Sequence, residues 1–218
     1  MSRSAFHVEL QELQNAILKM GALVENAIAG AVQALVKQDN RAAQAVINGD
    51  DGIDQMQLEI EGRSLRLLAL QQPLAKDLRF IGTALKIVTD LERIGDHAVD
   101  IARIALRLAG EAYIKPLIDI PRMAELARGM LRDSLTAYVH EDLELAQGLA
   151  DADHTVDSLY HQVFRELLVF MMEDPRTIRQ ATHLLFVAQH LERVADHATN
   201  LGEWLIYMVT GQRKDLNA

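Results

Sequence analysis

Apolar positions recur at steps of three and four along most of the chain. Leu10, Leu13, Ile17, Met20, Val24, Ala27 and Ala31 open the series, with the spacing of a helix that buries one stripe. Period-two alternation is nowhere sustained, so an all-α chain is expected. The four prolines act as punctuation, because proline is tolerated in a first helical turn and not in a helix interior. Pro73 and Pro175 each open a long apolar-periodic segment, and Pro116 and Pro121 bracket the middle of the chain. The stretch GEAYIKPLIDIP is read as the linker region, with residues 111–120 as the boundary.

The pattern also repeats. DLERIGDHAVDI, Asp90 to Ile101, returns as HLERVADHATNL, His190 to Leu201, with six of twelve positions identical, among them Glu, Arg, Asp and His. Upstream, Lys37 to Asp54 aligns with His140 to Asp157, bringing Asp39, Asp50 and Asp54 onto Asp142, Asp153 and Asp157. Each half reads helix, helix, proline, helix. The expected architecture is two tandem three-helix bundles related by internal duplication, residues 1–110 and 121–218, because a repeat this long is a duplicated domain. Gly49 and Gly52 are candidates for a kink in the second helix.

On a helical wheel Leu91, Ile94, Ala98, Ile101 and Ala105 share one arc, while Glu92, Asp96 and Asp100 fall at about 100°, 140° and 180° from its start. The acids are therefore expected to face outward, away from the core. Glu192, Asp196, Asn200 and Glu203 repeat the stripe in the second copy. Carboxylates four residues apart stand roughly 5 to 6 Å from each other at Cβ, close enough to share a cation. Ordinary salt bridges compete with that reading, since Arg93 and Arg193 can pair with Asp96 and Asp196 at i,i+3. The in-register repetition of charged letters favours metal, because an acid pair at i,i+4 costs a bare helix a few tenths of a kcal/mol. The expected ligands are Glu92, Asp96, Asp100 and Asp54 in one half and Glu192, Asp196, Asn200 and Asp157 in the other. Asp50 and Asp153 accompany Asp54 and Asp157, and turn or cap chemistry is the competing reading for all four. Arg93, His97, Arg193 and His197 are read as supporting residues that orient the carboxylates or donate hydrogen bonds.

Composition narrows the chemistry. The chain has 218 residues, 22 Lys plus Arg against 31 Asp plus Glu, and a formal net charge of −9, which argues against nucleic acid as a partner. There is no cysteine, so a metal must use carboxylate, imidazole or carbonyl ligands. No apolar run approaches the roughly 18 residues needed to span a bilayer, and MSRSAFHVELQELQ lacks the apolar core of a signal peptide. A soluble, cytoplasmic protein is expected.

The two framed motifs, together with VINGDDGID and PLAKDLRFIGTALKI, resemble the PhoU family of phosphate-signalling regulators over nearly the whole chain. That family is marked by paired E(D)xxxD motifs in tandem three-helix repeats, matched here by Glu92 to Asp96 and Glu192 to Asp196. The resemblance implies a cytoplasmic negative regulator of the phosphate-starvation response that links a phosphate ABC transporter, through its ATPase subunit, to a sensor histidine kinase. It further implies a homodimer, membrane contact only through partners, and divalent or multinuclear metal, with iron, manganese, magnesium or zinc as the candidates. Asn200 in place of Asp100's counterpart, and Glu203 opposite Arg103, depart from a strict repeat and imply unequal sites.

Two other classes compete. A non-catalytic helical scaffold would use the acidic motifs as docking surface. A carboxylate-bridged metalloenzyme would need Glu-x-x-His pairs aimed into a bundle core, and the sequence contains none. It also lacks a phosphate loop ending in Lys-Ser or Lys-Thr, a Gly-x-Ser-x-Gly elbow and a His-Glu-x-x-His motif, so an enzyme is not expected.

Overall fold

The computed structural model describes residues 3–216. Among the described residues there are six α-helices: α1 (Arg3–Lys37), α2 (Asn40–Gln71), α3 (Ala75–Arg107), α4 (Asp119–His140), α5 (Leu143–Glu173) and α6 (Ile178–Thr210). A single 3-10 turn at Pro175–Thr177 leads into α6. No strand occurs among the described residues.

The aligned aspartates Asp39 and Asp142 do the same work in both halves. Asp39 accepts the Arg41 and Ala42 backbone N–H groups at 2.9 and 3.0 Å, and Asp142 accepts those of Glu144 and Leu145 at 3.0 Å each. Each thus satisfies donors that the first turn of α2 or α5 leaves free. Helix ends are set by left-handed residues at Gln72, Glu141 and Gly211, and Pro73 prevents α2 from continuing. Pro121 falls inside the first turn of α4, where its missing N–H leaves no helical bond unmade. Gly49 and Gly52 lie within an unbroken α2.

The two motif helices pack against each other at the centre. Arg79 Nε donates to the Met208 carbonyl at 3.0 Å, Thr83 Oγ1 to the Trp204 carbonyl at 3.4 Å, and His97 meets His190. Positions that rise along α3 therefore fall along α6, and the pair is antiparallel. α1 and α2 flank α3, α4 and α5 flank α6, and α1 touches α4. One continuous core runs through all six helices. Leu91, Ile94, Ala98 and Ile101, with Leu191, Val194, Ala198 and Leu201, are buried in it as the wheel predicts.

The outward-facing acid stripe is not what the fold shows. α3 is packed on three sides, by α1, α2 and α6, so the flank beside its apolar arc is covered by α2. α5 covers the same flank of α6. Only 17% of the Glu92 side chain and 41% of the Asp96 side chain reach solvent. The turn or cap reading of Asp50, Asp54, Asp153 and Asp157 fails as well, because all four lie inside helices.

Between the halves the chain is fastened rather than loose. Gln180 is buried, accepting the Ile114 N–H at 2.6 Å and donating to the Ala112 carbonyl at 3.0 Å. Tyr113 donates its hydroxyl to the Leu35 carbonyl at 2.6 Å. The connection is thus held by α6 on one side and α1 on the other.

Candidate metal-binding seams

Each half forms a seam between its second and third helices. In the first, Asp50 and Asp54 stand one turn apart on α2, and Glu92 and Asp96 one turn apart on α3. Close approach is permitted by Gly95, where an added methyl group would meet the Ile53 side chain at 3.2 Å and Asp50 Oδ1 at 3.8 Å. In the second seam Asp153 and Asp157 on α5 face Glu192 and Asp196 on α6.

Burial first, and neighbouring carboxylates after it, disfavour the ionisation of Asp50 and Glu92 in one seam and of Asp153, Glu192 and Asp196 in the other. Burial raises the Asp50 pKa, reinforced by the charges of Asp54 and Asp96. Burial also raises that of Glu92, with Asp96 adding to it and Arg93 opposing. The second seam is more strained. Asp153 is only 3% exposed, and burial together with Asp157 and Asp196 pushes its pKa up to about 6. Burial, Asp196 and Asp157 push Glu192 up to about 7, and Asp196 is raised by burial and Asp157. Asp153 Oδ1 is buried with no hydrogen-bond partner. An orphaned carboxylate oxygen of this kind costs free energy unless a cation or proton meets it.

The fold separates the remaining sequence candidates. Arg93 pairs with Glu92 and Asp96 at 3.6 and 3.1 Å, and Arg193 lies near Glu192 and Asp196. His97, His197, Asp100 and Asn200 belong instead to the α3–α6 interface. His197 Nδ1 lies 2.8 Å from Asp90 Oδ1, and Asn200 Nδ2 donates to that oxygen at 3.4 Å. His97 Nδ1 lies 3.2 Å from His190 Nδ1. Asp100 pairs with Arg103 at 3.0 Å and stands beside those two histidines. Glu203 accepts the Leu216 N–H at 2.9 Å. Asp90 and His190 escaped the sequence reading, although they were signalled as the one charged or ionisable mismatch at the head of the repeated motif.

Four carboxyl groups per seam, all oxygen donors, two contributed by each of two packed helices, suit a hard or intermediate cation. Raised carboxyl pKa values occur in both seams, and the orphaned oxygen belongs to the second. Among the described residues no three seam carboxylates bring ligand atoms within 4.8 Å of one another, so an ion held there would have to draw the acids together.

Twofold repetition of a three-helix unit, with one acidic seam per unit, defines a class of duplicated all-helical protein, and comparison with known families places the chain within it. The PhoU domain model matches twice, over residues 17–105 and 120–205. The phosphate-specific transport system accessory protein PhoU homolog of Clostridium acetobutylicum is 47% identical over 218 residues, covering both chains in full. The homolog of the same name in Aquifex aeolicus is 47% identical over 204 residues, 94% of this chain and 92% of its own. The crystal structure of PhoU from Pseudomonas aeruginosa superposes with a TM-score of 0.91 at 39% identity, covering 95% of this chain and 100% of that one. The phosphate transport system regulatory protein PhoU from Streptococcus pneumoniae gives 0.89 at 35% identity, covering 96% and 99%. The chain belongs to the PhoU family. The names of these relatives are those of an accessory protein of phosphate-specific transport and a regulatory protein of phosphate transport. Among the described residues no helix is long and apolar enough to cross a membrane.

Proposed function

We propose that this chain is a cytoplasmic negative regulator of the phosphate-starvation response. In this reading it couples a phosphate ABC transporter, through the transporter's ATPase subunit, to a sensor histidine kinase, acts as a homodimer and meets the membrane only through those partners. The relatives' names, accessory protein of phosphate-specific transport and regulatory protein of phosphate transport, support the phosphate role. The observation that carries the metal-dependent part is the pair of carboxylate quartets along the helix seams, with an unpartnered Asp153 oxygen in the second of them.

Asp50, Asp54, Glu92 and Asp96 would hold one ion or cluster, and Asp153, Asp157, Glu192 and Asp196 the other. A bound cation supplies positive charge where four acids meet. The chain's own residues do the rest. Two neighbouring helices each contribute two carboxylates, so occupancy is tied to how closely α2 and α3, or α5 and α6, are drawn together. Arg93 holds Glu92 and Asp96 in place from the solvent side. Iron, manganese, magnesium and zinc all accept carboxylate ligands, and supply in the cell decides among them.

The test is a pull-down from phosphate-replete and phosphate-starved cells, with metal content measured on the same samples, comparing wild type with the Asp96→Asn, Asp196→Asn double variant. The expected result is capture of transporter and kinase components by the wild type. The variant should show reduced metal and impaired repression with an unchanged circular dichroism spectrum. Equal metal content in the two proteins would overturn the metal-dependent reading. Normal partner capture by a metal-depleted variant would reassign the seams as fixtures of the fold.

A further inference from the structure

Midway along the α3–α6 interface, apart from both carboxylate seams, His97, Asp100 and His190 bring one ligand atom each to within 4.8 Å of one another. Two of these residues come from α3 and one from α6, joined only because the helices run antiparallel. We infer that His97, Asp100 and His190 form a third metal site, selective for a borderline transition-metal ion such as zinc, with its fourth position open to solvent.

The spacing of the two imidazoles is the main argument. Their Nδ1 atoms are 3.2 Å apart, and two nitrogens bound to one tetrahedral zinc at its usual bond length stand about 3.3 Å apart. Without metal that distance serves a single N–H···N hydrogen bond between two neutral rings; a metal takes the shared proton's place from beside the N–N line, once both rings turn their lone pairs toward it. Asp100 supplies a carboxylate at one edge. Arg103 holds its Oδ1 at 3.0 Å, which leaves Oδ2 for a ligand bond and orients the group as a supporting hydrogen bond does at metal centres.

The donor set differs in kind from the seams. Two imidazoles and a carboxylate suit zinc, cobalt, nickel or ferrous iron, whereas all-oxygen quartets suit harder ions. All three ligands are half-buried and line an open groove of about 520 Å³, so an ion can enter from solvent. Three protein ligands with one free direction is the open form of a zinc site. Arg103, Arg107 and Arg193 line the same groove, which favours water or an anion over a second cation in the fourth position.

An internal control sits in the other half of the interface. The equivalent positions hold Asp90, His197 and Asn200, already joined by hydrogen bonds at 2.8 and 3.4 Å. One imidazole there is replaced by a carboxylate and the third ligand by an amide, so that side keeps its hydrogen bonds and takes no zinc.

Cobalt(II) is the probe, because imidazole-bound four-coordinate cobalt absorbs visible light far more strongly than six-coordinate carboxylate-bound cobalt. Full-length wild type, the Asp96→Asn, Asp196→Asn double variant, and His190→Ala and His190→Gln variants are titrated with cobalt and then with competing zinc. Wild type and the seam variant are expected to develop the intense bands, with a final amplitude corresponding to one four-coordinate cobalt per chain, and to lose them to zinc. Either His190 variant should weaken cobalt binding at this site by tenfold or more. His190→Gln keeps a polar side chain at the interface and serves where His190→Ala fails to fold. Bands absent from wild type, retained in both His190 variants, or lost in the seam variant would overturn the proposal. The result is independent of whether the seams themselves bind metal.

Discussion

His197 reaches across the α3–α6 interface to place its Nδ1 2.8 Å from Asp90 Oδ1, and Asn200 donates to the same oxygen. Both side chains are mostly shielded, 23% and 14% exposed, so solvent weakens this hydrogen bond to the Asp90 carboxylate less than it would at the surface. Hydrogen bonds to charged groups in such surroundings contribute about 1.5–3 kcal/mol. Asp90→Ala is expected to destabilise the protein by that amount in urea unfolding. A double-mutant cycle with His197→Ala should return a coupling of about 0.5–3 kcal/mol, and a coupling near zero would show that the two side chains are only neighbours.

The second seam makes stability depend on pH. Asp153 and Glu192 have folded-state pKa values of about 6 and about 7 against ordinary values of 3.8 and 4.5. The metal-free native state therefore holds protons that the unfolded chain has already released. Their contribution is fully present below pH 4 and is lost as pH rises through 6 and 7. Metal-free protein is expected to melt several degrees lower at pH 8 than at pH 5, and the Asp153→Asn, Glu192→Gln variant should flatten that slope. Divalent metal competes with the same protons, so its stabilising effect should grow over the same interval. Calorimetry across the range, with and without manganese, checks both expectations.

Gln180 satisfies two backbone groups of the connecting segment. Gln180→Ala leaves the Ile114 N–H and the Ala112 carbonyl without those partners, at about 1–3 kcal/mol for each group that stays buried. Faster amide exchange at Ile114 and a lower denaturation midpoint are the expected results. A variant as stable as wild type would mean that water replaces both bonds.

The duplicated caps allow a paired measurement. Asp39→Ala and Asp142→Ala should each cost about 0.5–2 kcal/mol, and because the two caps serve different helices in different halves their effects should add. Thermal melts of both single variants and the double variant settle the matter.

Helix periodicity was enough to find the all-α class and the buried arc from Leu91 to Ile101, because a 3.6-residue repeat is a local property of the chain. Duplication exposed the seam acids, since Asp54 and Asp157 align as Glu92 and Glu192 do. What the wheel could not show was which neighbour covers each flank. It left the acids facing outward because it contains no α2, and the three-sided packing of α3 decides otherwise. The meeting of His97 with His190, 93 positions away, depends on the direction and register of packing between α3 and α6, which no local pattern encodes. Asp100 and Asn200 were drawn into the acidic stripe for the same reason.

The antiparallel pairing of α3 with α6 relates each contact near its midpoint to a counterpart made by the corresponding residues with their roles exchanged. Had both copies of the motif begun with the same letter, the Asp90–His197 and His97–His190 contacts would be chemically alike. They begin with aspartate and histidine, and that one difference turns one contact into a carboxylate–imidazole hydrogen bond and the other into two facing imidazoles. Around such an axis a single substitution diversifies chemistry while leaving the backbone alone, so one fold carries two unlike sites side by side. The duplicated chain is in this sense a symmetric frame with an asymmetric centre.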